Sequence, residues 1–118
     1  MSAETLLVAA LTPLVTGPVH FNVAQSGSVL PRLVVQQVGG IEDQFLDGEL
    51  SSKERPRIQV AAWATTYNVA KNLSQAAAVA LCSAAGLQAS PQGAAVADYE
   101  DDTKLHGFRQ DFLIAADR

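Results

Sequence analysis

The sequence predicts an α+β domain whose sheet is mainly antiparallel, with two helices packed on one face, in the order α-β-β-β-α-β-β. Two observations carry this reading. Strand-like runs at 33–38 and 57–64 flank a hairpin turn signal, Asp47-Gly48, whose residues tolerate positive φ. An alanine-rich segment of helical spacing follows, and two further strand-like runs close the sequence. The 118 residues are 48% hydrophobic and 17% charged, which suits a single domain over 1–118 that buries a core without disulfide or metal.

Ser2 is placed to cap the first helix, and Glu4 stands in its positive first turn. Leu6, Leu7, Ala10, Leu11 and Leu14 give that helix an apolar face. Pro13 lacks an N–H and clashes inside a helix, so Thr12-Pro13 reads as the cap and first residue of a short second turn. Gly17-Pro18 ends it. Val19–Val23 reads as a short strand and Leu33–Val38, rich in β-branched residues, as a longer one. In 57–64, Ile58, Val60 and Ala62 alternate with less apolar neighbours, so one face turns to a core. Residues 39–56 between these strands form either a protruding hairpin or a mobile loop.

Thr65 or Thr66 caps the second helix, which runs to about Ala85 with Gly86 as its stop. Val69, Leu73, Ala76, Ala77, Ala80, Leu81 and Ala84 form its sheet-facing stripe. Its other face is also poor in charge: Lys71 is the only ion from 68 to 85, and Ala78, Val79 and Cys82 are apolar. Such a helix is expected to be covered twice, by the first helix or by another subunit. Residues 93–99 and 108–115 read as the last two strands.

Composition excludes several function classes. Cys82 is the only cysteine, which rules out an internal disulfide and a multi-cysteine metal site. The net charge is −4 and no basic stripe is present, which argues against gripping phosphate backbones as the main task. Met1-Ser2-Ala3-Glu4 has no basic n-region, so the expectation is no secretion signal and assembly in the cytoplasm. Nine of the twelve acids fall in two stretches, 42–54 and 98–102, which read as surface loops or hairpin ends.

Candidate chemistry is sparse. Asp98, Glu100 and Asp102 alternate and, with His106, could imitate a carboxylate-rich metal site. That region, 98–106, is the basis of the alternative reading as a small enzyme or ligand-binding module. Solvated hairpin charges are the plainer reading, and no metal, cofactor or catalytic residue is assigned. Cys82 has no basic neighbour in sequence and reads as a small apolar residue. The serines at 26, 28, 51 and 52 lack a Gly-x-Ser-x-Gly context, and Gly39-Gly40 is followed by no Gly-Lys-Ser/Thr. Trp63 and Tyr67 could wall a ligand, but at a strand-to-helix junction they read as sheet–helix core.

Leu30-Pro31, Val34-Val35-Gln36-Gln37-Val38, Pro56-Arg57-Ile58-Gln59-Val60, Trp63, Thr66-Tyr67, Asp98-Tyr99-Glu100-Asp101-Asp102-Thr103 and Arg109-Gln110-Asp111-Phe112 occur in that order around the alanine-rich helix. Together they resemble the tail completion, or tail terminator and head–tail joining, proteins of long-tailed phages. The resemblance implies a structural virion protein without catalysis. It implies a six-fold ring on the head-proximal end of the tail tube, which stops elongation and offers a surface to the neck. The implied partners are further copies of the chain, the tube protein and a neck or head completion protein, with DNA passing through the lumen unheld. Within that frame, Glu42, Asp43, Asp47 and Glu49 are candidate lumen-facing acids, against the plain alternative of solvated loop charges. Phe45, Leu46 and Leu50 at the same tip, and Ala78, Val79 and Cys82 on the helix, are candidate subunit or partner contacts. A tip that packs on its own domain is the competing account of the first three. Ion pairs from Arg32, Arg57 and Arg109 to a neighbour are expected to contribute little individually.

Overall fold

The computed structural model describes residues 3–24, 27–41 and 52–117. In chain order the elements are α1 (Ala3–Leu11), a 3-10 turn (Thr12–Leu14), β1 (His20–Phe21), β2 (Arg32–Ile41), β3 (Lys53–Ala64), α2 (Tyr67–Ser83), β4 (Ser90–Pro91), β5 (Val96–Glu100), β6 (Leu105–Leu113) and β7 (Ala116–Asp117). The predicted order of helices and principal strands holds. β1, β5 and α2 are shorter than their sequence patterns, while β2 and β3 are longer. The two-residue strands β4 and β7 are too brief to leave a periodic signal. Ser2, as the first cap, and the Asp47-Gly48 turn fall outside the described residues.

The sheet runs β1-β2-β3-β6-β4, with β5 pairing a different stretch of β6 and β7 pairing the start of β3. β2 and β3 form the long antiparallel hairpin, from Arg32 opposite Trp63 to Ile41 opposite Arg55. β3 pairs β6 from Arg57 opposite Leu113 to Ala64 opposite His106. Only β1 against β2 is parallel. A bulge between Gln37 and Gly39 shifts the β2 register by one residue.

Alternation then sorts the side chains. Leu33 and Val35 on β2, Ile58, Val60 and Ala62 on β3, and Phe112 on β6 face the helices, where they meet Leu7, Leu11, Leu73, Ala77 and Leu81. α2 packs on β3 and β6, and α1 on α2. The first helix thus covers one flank of the charge-poor second helix. Leu73 and Leu81 are at most 7% exposed, and each such burial contributes roughly 2 kcal/mol. A smaller cluster of Ala64, Ala70 and Phe108 extends the core, with Tyr67 edge-on to Phe108 at 5.1 Å between ring centroids.

The buried stripe of α2 is Ala70, Leu73, Ser74, Ala77 and Leu81. Val69 was expected on it but is 43% exposed. The stripe follows i, i+3, i+4, i+7, and Val69 precedes Ala70 by one residue, about 100° round the helix. Thr66 caps α2: its Oγ1 accepts from the Val69 N–H at 3.3 Å. Thr66→Ala is expected to cost about 1 kcal/mol, read from the urea midpoint of unfolding. Gly86, at φ +87°, stands three residues past the last helical residue. Thr12 lies inside the 3-10 turn rather than before it, and its hydroxyl donates to the Val8 carbonyl at 2.6 Å. The cap residue is Leu11, because α1 runs straight into the turn.

β7 pairs the loop end of the hairpin, with Lys53 opposite Asp117 and Glu54 opposite Ala116. Lys53 Nζ lies 2.8 Å from Asp117 Oδ1, and that hydrogen bond with its charge holds the Asp117 carboxyl below the usual range. A lowered folded-state value stabilises above the unfolded value and is lost as pH falls through the folded one. Both side chains are largely exposed, so salt screens this contribution.

Candidate interaction surfaces

The helices cover one side of the sheet, and the opposite side carries the polar half of every alternating strand. Arg32 and Val34 of β2 stand there beside Trp63 and Ala61 of β3, which pair Gly107 and Arg109 of β6. The same alternation adds Arg55, Arg57, Gln59, Asp111 and Leu113. Among the described residues all four arginines, Arg32, Arg55, Arg57 and Arg109, sit on this one face of an acidic chain.

Local pairs hold the face in order. Arg57 Nε donates to Asp111 Oδ2 at 2.9 Å, and Gln59 Nε2 donates to Asp111 Oδ1 at 3.4 Å. Arg109 Nε lies 3.5 Å from Asp98 Oδ2 on β5. Trp63 lies flat over Gly107, where an added Cβ would come within 2.6 Å of the ring. A shallow groove of about 340 Å³ runs beside it, lined by Asn22, Arg32, Val34, Trp63, Glu100 and Thr103. Trp63 and Tyr67 therefore do not form one aromatic wall. Tyr67 packs on the helix side, and Trp63, expected in the sheet–helix core, belongs to the uncovered face. Ala64, Thr65 and Thr66 separate them and turn the backbone from the strand into α2.

The 98–106 region does not converge on a site. Asp98 pairs Gly107 and Glu100 pairs Leu105, so both carboxylates share the uncovered face. Tyr99 pairs His106, and those two rings lie 4.8 Å apart on the helix side. Glu100 Oε1 instead accepts from the Thr103 hydroxyl at 2.7 Å, which ties the turn to itself. No group of three His, Cys, Asp or Glu among the described residues is arranged to hold a metal ion.

The contacts proposed on α2 divide. Ala78 is half-buried against the core, Val79 is 70% exposed, and the Cys82 thiol side chain is exposed. Phe45, Leu46 and Leu50, and the acids Glu42, Asp43, Asp47 and Glu49, lie outside the described residues. Sequence reasoning did not single out the two sheet edges. Of the exposed large hydrophobics, Phe21, Val23, Val38 and Ile41 gather by the β1–β2 edge. Val96, Tyr99, Tyr67 and Val69 gather by the β5 edge and the start of α2. The alternation was readable at each strand, but which strands end the sheet depends on long-range pairing that no local pattern encodes.

No helix among the described residues is long and apolar enough to cross a membrane. No curated protein sequence matches the chain. The profile of one family does, described as Tail completion protein gp17, over residues 4–117.

Proposed function

The chain belongs to the Tail completion protein gp17 family, and on that premise we propose that it forms a ring on the head-proximal end of the phage tail tube, stops tube elongation and presents a surface for head joining. Membership itself makes the chain a structural component of a phage tail that works through contacts with other tail or head proteins. What supports the finer reading is the extent of the match, which spans residues 4–117.

The surfaces support the same reading. The uncovered sheet face is polar and ordered by in-chain ion pairs, and among the described residues no three His, Cys, Asp or Glu gather on it to hold a metal ion. That suits a surface for protein contacts better than one for chemistry. The exposed Val79 and Cys82 side chains on α2 are proposed as contacts to a tube or neck partner, with Ala78 supporting them from the core side. The tip residues Phe45, Leu46 and Leu50 remain proposed contacts, and Glu42, Asp43, Asp47 and Glu49 are proposed to face a lumen through which DNA moves unheld.

Electron microscopy of particles made without this gene tests the reading. Overlong tails of variable length are the expected result. Tails of normal length left without heads would replace termination by joining, and intact infectious particles would overturn both.

A further inference from the structure

We propose that the two free edges of the sheet pair with each other between neighbouring copies, β2 of one chain against β5 of the next, so that the sheet continues from subunit to subunit. The inference rests on the ring reading above and names the contact that would build it.

Hydrogen-bond direction identifies the free groups. The Val35 carbonyl accepts from the Asn22 N–H at 2.8 Å, so it points away from β3. Alternation sends the backbone N–H and C=O of Gln37 to that same side. β1 pairs only with Val34 and Val35, so Gln37 meets no strand there among the described residues. Beyond the bulge, the Pro56 carbonyl accepts from Ile114 at 2.9 Å and therefore turns from β2, and its partner Gly40 turns to the free edge in consequence. On the far side of the sheet β5 pairs only β6 among the described residues. The Tyr99 N–H turns outward and is taken by Asp98 Oδ1 at 2.9 Å, so the free outward groups of β5 are the Ala97 N–H and C=O and the Tyr99 C=O.

The two edges fit. Gln37 pairs Ile58, a helix-side residue, and Ala97 pairs Phe108, also on the helix side. Residues that face each other in an antiparallel pair share a face, so joining these edges keeps the helices of successive copies on the same side. Like charges do not oppose the contact: the free stretch of β2 from Gln37 to Ile41 carries no ion, and Asp98 of β5 is held within its own chain by Arg109. Exposed apolar residues complete both edges. Val38 and Ile41 are 41% and 44% exposed on β2, and Val96 and Tyr99 are 57% and 46% exposed on β5. Because the surfaces are different and lie at opposite ends of one sheet, the contact is head-to-tail, the kind that generates rings. The occupant of each edge is therefore a second copy of this chain. The acids of β5 and the β2 bulge limit pairing with unrelated strands.

In a Cys82→Ala background, which removes the exposed native thiol, tails assembled with Gln37→Cys/Ala97→Cys or Gln37→Cys/Tyr99→Cys are oxidised and run on a non-reducing gel. A ladder of covalent multimers is expected from at least one double variant and from none of the single variants, since paired residues stand close enough for a disulfide. Gln37→Pro removes an outward N–H from an edge strand, where proline is tolerated. It is expected to leave the melting temperature of the isolated chain within a few degrees and to yield overlong tails. Tails of normal length from Gln37→Pro, with neither double variant cross-linking, would overturn the edge contact while leaving termination standing. Failure of the termination reading is seen separately, in the gene deletion, without any variant.

Discussion

Phe112→Ala is expected to cost about 3–5 kcal/mol of folding stability. Phe112 is 1% exposed, pairs Ile58 on β3 and Pro91 on β4, and is the largest of the fully buried side chains. Strands on both sides hold its backbone, so the helices above have little freedom to settle into the space left by the ring. For a domain of this size the melting temperature should fall by roughly 10–20 °C. Calorimetry or urea unfolding reads the change. A loss below about 1 kcal/mol would mean that the site collapses freely and that the cluster of α1, α2 and the sheet is not one core.

Gly40→Ala is the second large effect, expected at about 2–5 kcal/mol from backbone strain and overpacking together. Gly40 has φ +144°, and a Cβ there would stand 2.5 Å from the Arg55 carbonyl oxygen and 2.8 Å from Pro56 Cα. These are backbone atoms of the paired strand, so no rotamer change relieves the clash. Gly39 supplies the control. Its φ is +135°, yet nothing lies within 4 Å of the added carbon. Gly39→Ala should therefore carry the strain alone and cost clearly less than Gly40→Ala. Equal losses in the two variants, measured by urea unfolding, would assign the whole effect to the backbone angle.

The central elements were legible because their signals are local. Ile58, Val60 and Ala62 alternate within one strand, and Thr66 caps the start of α2 with the chemistry that a helix N-terminus requires, whereas α2 ends at Ser83 and Gly86 serves the turn after it. Val69 shows the limit: its apolar side chain fits a helical stripe, but the stripe that wins is fixed by where β3 and β6 lie. Trp63 shows it again. Its size suggested the helix-side core, whereas its position opposite Gly107 gives it a flat bed on the other face. The uncovered face was half readable, since Arg55 and Arg57 alternate in sequence, but Arg32 and Arg109 join them only through the register of three strands. The free edges were beyond sequence reasoning because an edge is defined by the absence of a neighbour, which is a property of the whole sheet.

The position of β3 also orders events in time. Its β2 side is reached through one hairpin, whereas its β6 side requires Arg57 to find Leu113 and Ala64 to find His106, with all of α2 between them. Closing the larger loop carries the greater entropic cost and gains its contacts late. The hairpin side therefore has the means to form early, and the core seals only when the last third of the chain returns. Nascent chain lacking that third leaves the apolar face of β3 open to water. The β5 edge, which pairs β6, is thus completed only as the interior closes.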